Sequence, residues 1–546
     1  MGADLVVFPE MSVSGYPTKD LAFRGSFIKA GRRALARIAE SLAGSGLIAV
    51  VGALESVDTL YNGAAVLFDG KIMGFARKRY LFCCGGFDEA RYFSAGERPL
   101  VVETDKFRAV VTIGNDFGYP VFPGGVELLI NLWNEPYQYG RRLLKERMMI
   151  ERAKEDAVAM VMAGPVGGQD CMIFEGASAI VNGFGEVAAR GASFDEDLVM
   201  ADLDLRALKT YRDRVFTTLG GGNSTGSNQH HLAKADRISI ARDWPEQKHP
   251  PELEPRLPPL LKGMHELFTA LTLAVRDFLD KNGLSKAVVG LSGGIDSAVA
   301  AAIACEAVGP ERLILVSLPG PYTSAETRRD AGKIARNLGV KLLTIPIKTA
   351  NRTLLKALAP AFEGLPADVT EENLQARIRG LILMALANKF RAGLLAGGNK
   401  SEAAVGYCTL YGDTNGAFTP LKDVYKTRVY ELAAWINQRT RRQVIPKSVI
   451  QRAPTAELAP GQTDQDTLPP YADLDRILHG ILEKGLSISE LVEKGESEKM
   501  VVEVLDMLVK AEFKRRQSPI GPSVSERPLA DLLLPITKNS GWWEEK

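Results

Sequence analysis

The chain has 546 residues, 46% hydrophobic and 24% charged, with 67 Lys and Arg against 66 Asp and Glu. That length exceeds one ordinary domain, the composition excludes a disordered or fibrous chain, and a net charge of +1 argues against a protein devoted to gripping nucleic acid. Five cysteines at irregular spacing exclude a disulfide framework and fit a reduced, cytoplasmic setting; no zinc-type spacing and no membrane-length apolar run occurs.

In chain order, short β-type runs come first. Leu5–Phe8, Leu47–Val51, Ala64–Phe68, Ala109–Ile113, Leu128–Ile130, Met160–Ala163 and Ala177–Val181 are apolar and bounded by turn residues. Phe27–Ala43 and Gly140–Asp156 carry helical spacing. Residues 1–235 therefore predict a first, mixed α/β domain. The Gly220–Ser224 segment is polar, the adjacent His230-His231 reads as exposed loop, and residues 236–259, rich in proline, predict a linker. A second domain, 260–546, opens with an amphipathic helix over Leu261–Lys281. Strands at Ala287–Leu291, Leu313–Leu318 and Lys341–Ile347 then alternate with helices, which predicts a parallel sheet covered on both faces. Helix Glu371–Arg391 is expected to bury a stripe of Leu374, Ile378, Leu381 and Ala385, leaving Arg377 on another face.

The strongest chemical signal follows the strand Ala287–Leu291. Ser292-Gly293-Gly294-Ile295-Asp296-Ser297 is a double-glycine turn entering a helix. Glycines let backbone N–H groups close on a ligand, and the helix N-terminus favours phosphate. The Gly-Lys-Ser/Thr ending of a γ-phosphate loop is absent, as is a dinucleotide GxGxxG. The pattern resembles the ATP-pyrophosphatase loop, whose enzymes cleave ATP between the α- and β-phosphates to adenylate a substrate. Asp296, and Glu402 in Gly398–Glu402, are candidate magnesium ligands.

With Glu371–Gly380, Leu410–Asp413, Pro454–Leu458, Gln462–Asp466 and Phe513–Gln517, the second half resembles the NAD synthetases. The resemblance implies a doubly wound sheet of the adenine nucleotide alpha-hydrolase-like type. It implies ATP and magnesium as cofactors, with amidation of nicotinic acid adenine dinucleotide through an adenylated intermediate. It assigns Ser292, Gly293, Gly294, Asp296, Ser297, Lys426 and Thr455 to ATP, and Arg377, Asp413 and Lys514 to the dinucleotide. Gly397 departs from the pattern, since the family carries Thr there. The family also implies a homodimer or larger homo-oligomer.

Residues 1–235 resemble the nitrilase-type (carbon-nitrogen hydrolase) glutaminase that glutamine-dependent NAD synthetases carry, an α-β-β-α sandwich, here expected to lack its first strand and helix. Phe8-Pro9-Glu10 places the family's general base at Glu10, and Arg77–Leu81 places its Lys at Lys78; Phe87–Phe93 and Val166–Asp170 extend the match. Such a site uses carboxylate, ammonium and thiol together. The thiol is missing: Ile113-Gly114-Asn115-Asp116 stands where the family reads Ile-Cys-Glu-Asp. Cys83 and Cys84 lie on a different segment, so the geometry of Glu10 and Lys78 is not expected to serve them. The expectation is a degenerate glutaminase, with ammonia rather than glutamine as nitrogen donor. The alternatives are another ATP-pyrophosphatase amidotransferase, of the GMP-synthetase or tRNA-modifying kind, and a non-catalytic binding protein. The dinucleotide-side motifs and the near-zero charge oppose the first, and Asp296, Glu402 and Lys426 oppose the second.

Overall fold

The computed structural model describes residues 2–84, 87–118, 125–218, 235–242 and 253–537. The chain forms two compact units, one of Met1–Gly167 with Phe174–Leu261, the other of Gly168–Ile173 with Lys262–Lys546. Gly220–Ser224, His230-His231 and residues 243–252 of the proline-rich segment lie outside the described residues.

The first unit is built on two sheets. β1 (Leu5–Val7), β2 (Ile48–Ser56), β3 (Leu60–Phe68) and β4 (Lys71–Arg77) form one, in that order; β5 (Cys83–Cys84) and β6 (Phe87–Asp88) are a small separate pair. The other contains β7 (Leu100–Glu103), β8 (Arg108–Ile113), β9 (Leu128–Leu132) and β10 (Ala159–Ala163). After the pair β11 (Val166–Gln169) and β12 (Met172–Glu175) come β13 (Ala179–Val181), β14 (Val187–Arg190) and β15 (Asp236–Ser239). The seven-stranded order is β14-β13-β10-β9-β8-β7-β15.

Strand alternation explains the layering. One set of side chains, among them Val50, Val66, Val111, Ile113 and Ile130, fills the space between the sheets. The opposite set on the smaller sheet packs with Leu35 and Ala39 of helix Gly25–Ser41. The opposite set on the larger sheet packs with Met149 and Ala153 of helix Arg142–Asp156. The result is the expected α-β-β-α sandwich.

One boundary is corrected. Asp236–Ser239 was expected in the linker, but it is an edge strand in parallel register with β7. Three of its four residues are polar, and only Ile238 is buried. Charged edge strands resist pairing with other chains, and the same composition reads as linker from sequence.

In the second unit, β16 (Lys286–Gly290), β17 (Leu313–Ser317), β18 (Leu342–Thr344) and β19 (Ala392–Leu395) form an all-parallel sheet of order β18-β17-β16-β19. The order reverses at β16, so the crevice at the carboxyl ends of β16 and its neighbours is where a ligand belongs. Val288, Val316 and Leu394 pack against helix Val369–Phe390. The helix does not bury the expected stripe: Leu381 is 68% exposed and Ala385 is exposed. Over Gly380–Ala387 its sequence is apolar on every side, so periodicity does not choose a face there. Small residues choose it. A Cβ on Gly380 would fall 2.7 Å from the Tyr411 carbonyl oxygen, and Ala376 and Gln375 are buried beside it. Among the described residues no helix is long and apolar enough to cross a membrane.

Candidate active sites

The crevice predicted by the strand order holds a cavity of about 320 Å³, lined by the ends of β16, β17 and β19. The loop after β16 is shaped by its small residues. Gly293 has φ +95°, and a Cβ there would fall 2.4 Å from the Thr327 carbonyl oxygen. Ser292 N–H donates to Ser297 Oγ (3.2 Å), Gly294 N–H donates to Ser292 Oγ (3.1 Å), and Ser297 Oγ donates to the Gly294 carbonyl (3.0 Å). These bonds set the turn from which helix Ile295–Val308 starts. Ser292, Gly293, Gly294, Asp296 and Ser297 all line the cavity, with the positive end of the helix dipole facing it.

A charged cluster stands on the same wall. Lys426 Nζ lies 2.6 Å from Asp296 Oδ2 and 2.8 Å from Glu402 Oε1. Asn399 fixes the partners: its Nδ2 donates to Asp296 Oδ1 (2.9 Å), and its Oδ1 accepts from Glu402 N–H (3.0 Å). The Tyr471 hydroxyl lies 2.8 Å from Asp464 Oδ2 and 3.3 Å from Glu402 Oε1. Burial pushes the Glu402 carboxyl above its usual range, with Lys426 pulling it back. Burial opposes the charge on Lys426, but Asp296 and Glu402 outweigh it and hold the ammonium protonated. The two carboxylates keep 19% and 17% of their side-chain surface open.

Other expected residues fare differently. Thr455 lines the cavity, but its hydroxyl donates to the Gln462 carbonyl and accepts from Glu457 N–H (3.1 Å). Asp413 borders the cavity, exposed, accepting from Thr409 N–H at 2.6 Å. Lys514 does not line it; its Nζ donates to the carbonyls of Gly406 (2.8 Å) and Cys408 (2.9 Å). Arg377 is exposed, donates through Nε to the Leu410 carbonyl, and also lies off the cavity. Two residues further on, Arg379 faces the cavity, anchored through Nε to the Leu318 carbonyl (3.0 Å), without an acidic partner at ion-pair distance among the described residues. Sequence reasoning gave it no role, nor Asn399 or Asp464, although all three lie in recognised motifs, and it missed Tyr471 altogether. A Cβ on Gly397 would meet open space, so packing does not require glycine there.

The first unit has a second cluster. Lys78 Nζ lies 2.8 Å from Glu10 Oε1 and 2.8 Å from Glu89 Oε2, all three buried. Asn62 Nδ2 donates to both carboxylates, at 2.6 and 3.1 Å. Glu89 lies in a motif recognised from sequence, yet its role shows only in the fold. Burial raises the Glu10 carboxyl, and Lys78 draws it back. Gly114 follows β8 at φ +56°. A Cβ built on it would lie 3.1 Å from Lys78 Nζ and 3.5 Å from Glu10 Oε2. That Oε2 is buried and without a hydrogen-bond partner. A carboxylate oxygen and an ammonium thus face the point where Gly114 lacks a side chain. Cys83 is exposed and its Sγ donates to Asp88 Oδ1 (3.1 Å), a bond that raises the thiol's pKa rather than activating it. The Cys84 side chain lies outside the described residues.

Comparison with known proteins matches residues 267–518 to NAD synthase and residues 1–213 to carbon-nitrogen hydrolase. The chain is similar to the glutamine-dependent NAD(+) synthetase of Thermotoga maritima, 42% identical over 549 residues, covering 98% of this chain and 93% of the relative. It is 37% identical over 540 residues to that of Aquifex aeolicus, again covering 98% and 93%. The solved glutamine-dependent NAD+ synthetase of Acinetobacter baumannii, in complex with ADP, superposes with a TM-score of 0.68 at 35% identity, covering 98% of this chain and 92% of that one. Two domains in the order of these relatives, matched along nearly their whole length, place the chain in the glutamine-dependent NAD synthetase family, ligases that form a carbon–nitrogen bond.

Proposed function

We propose that this chain makes NAD by ATP-dependent amidation of nicotinic acid adenine dinucleotide and takes its nitrogen from free ammonia. The nicotinate carboxylate attacks the α-phosphorus of ATP, the bond to the bridging oxygen breaks, and pyrophosphate leaves. Ammonia then attacks the acyl carbon, AMP departs, and a proton is lost to give the amide. The Ser292–Ser297 loop holds phosphates through its backbone, and Arg379 offers the cavity a cation not committed to an acid.

Magnesium fits the chemistry of the donors. Two carboxylates, Asp296 and Glu402, already converge on one cation, the Lys426 ammonium, and hard oxygen ligands completed by phosphates and water suit this ion. Asp296 and Glu402 would hold the metal, which neutralises the leaving pyrophosphate. Lys426 would then turn to phosphate oxygens.

Gly114 carries the reading on nitrogen. Glu10, Lys78 and Glu89 supply base, oxyanion donor and support, but glutamine hydrolysis by this route needs a covalent thioester, and glycine cannot form one. The dinucleotide is the substrate for Arg377, Asp413 and Lys514 to serve, the last by supporting the Gly406–Cys408 turn. We place the enzyme in the cytoplasm as a homodimer or larger homo-oligomer. Support for assembly comes from exposed apolar residues on and beside helix Val369–Phe390, with Val369 60%, Leu381 68% and Tyr411 62% exposed. The test compares ammonium chloride with glutamine as donor, using protein freed of contaminating glutaminase. NAD should form with ammonium and not with glutamine. Comparable rates with both would defeat the reading.

A further inference from the structure

A second cleft of the synthetase unit lies between helix Ala325–Asn337 and the turn before helix Lys447–Gln451, with a volume of about 660 Å³. Four cations line it, Lys333 and Arg336 from the first helix and Arg442 and Lys447 from the turn and the second helix, and no Asp or Glu does. Among the described residues only Lys333 has an acidic partner, Asp330 at 3.2 Å. The turn is held in place: Asn337 Nδ2 donates to the carbonyls of Gln443 (2.6 Å) and Val444 (3.3 Å). The four exposed cations are carried by two tied segments and converge on one cleft, so a compact polyanion can meet several of them at once. Pro446 is the one apolar residue of the lining, so a nucleobase finds no platform there.

The cleft is also wired to the nucleotide cavity. Asp330, fully buried, accepts from Lys333 and from Ser448 Oγ (3.0 Å) on the cleft side, and pairs with Arg452 on the other. Arg452 lines the nucleotide cavity and donates to Thr327 Oγ1 at 2.8 Å. We propose that the cleft binds a compact oligophosphate anion and that Asp330 transmits its occupancy to the nucleotide cavity. An anion drawing Lys333 away leaves Arg452 as the main counter-charge of Asp330. Arg452 is then held more firmly and is less able to meet an incoming phosphate, which raises KM for ATP. This last step rests on the ATP reading; binding itself does not.

Calorimetry on the full chain, with its nucleotide cavity saturated by a non-hydrolysable ATP analogue, tests the binding. Inorganic tripolyphosphate should occupy one site per chain, and the double variant Arg336→Ala/Arg442→Ala should weaken it by about tenfold or more. In kinetics at constant free magnesium, tripolyphosphate should raise KM for ATP in the native enzyme and leave that of the double variant unmoved. Without tripolyphosphate the two enzymes should share one KM for ATP. The proposal is overturned if the analogue abolishes tripolyphosphate binding, if the variant binds it equally well, or if a single-stranded RNA binds the cleft and tripolyphosphate does not. A chain that fails to split ATP would defeat the functional reading while the calorimetry still decides the site.

Discussion

Restoring the thiol at Gly114 is the sharpest perturbation the glutaminase unit offers. In Gly114→Cys the new Cβ would lie 3.1 Å from Lys78 Cε and Nζ and 3.5 Å from Glu10 Oε2. The close neighbours are the far end of a flexible side chain, so a small shift of the ammonium accommodates them. The backbone at φ +56° is the larger penalty, about 1–2 kcal/mol for a residue other than glycine. The variant should therefore unfold at lower denaturant by that margin and still fold. Its sulfur would stand between a carboxylate of raised pKa and a cation, the arrangement that takes a thiol proton and stabilises the thiolate. Glutamate release from glutamine, followed without ATP, should rise at least about 100-fold over the native background. The introduced thiol should also alkylate well below the pH at which Cys83 does. A correctly folded variant with an ordinary thiol and no gain in glutamate release would refute the assignment of this position.

Three further outcomes are expected. Asp296→Ala and Glu402→Ala should each abolish NAD formation while leaving the circular dichroism spectrum unchanged; a variant at near-native rate would remove that residue from the site. Lys426→Met should lower stability by about 3–5 kcal/mol in urea unfolding, because two partly buried carboxylates lose their shared cation, and an unchanged midpoint would show that water replaces the ammonium freely. Asp116, whose carboxylate accepts N–H bonds from Arg79 and Tyr80, is pushed up to about 6 by burial, those bonds opposing. A raised pKa means stability present at low pH and lost as pH rises through it. The native protein should lose up to about 3 kcal/mol relative to Asp116→Asn between pH 4 and 7, and parallel stability curves would refute the burial argument.

The nucleotide loop was legible because strand, glycines and helix start are adjacent in sequence, and local chemistry is what a sequence displays. Asp296, Glu402 and Lys426 were legible only as members of motifs; their convergence on one point is made by the return of β19 beside β16. Where several registers satisfy the same pattern, sequence chose poorly. Arg377 and Arg379 are two residues apart on one helix, and only the close approach of Gly380 to Tyr411 decides which faces the cavity. The same ambiguity misplaced Leu381. Lys514 was expected beside substrate, yet its donors are used on backbone carbonyls, a demand no residue pattern announces. Glu89, among other charged residues, and Asn62, in an apolar strand, were hidden for the opposite reason: the sequence around a buried polar residue gives no sign of the partner that satisfies it.

The glutaminase cluster shows how a site can outlast its reaction. Burial requires neither Glu10 nor Lys78 singly. Together with Glu89 they are required. Lys78 is the shared cation of two carboxylates exposed by 1% and 0%, so removing it strands two charges, and removing one carboxylate strands the cation's partner bonds. Breaking such a group from one side typically destabilises by about 3–5 kcal/mol, a large share of what holds a domain folded. Losing a thiol at the neighbouring position carries no such penalty, since a glycine at φ +56° relieves strain rather than creating it. Of the groups this chemistry needs, the nucleophile is therefore the one that can vanish without unfolding the unit. The retained Glu10–Lys78–Glu89 cluster is thus explained by stability alone and is not evidence that glutamine is turned over.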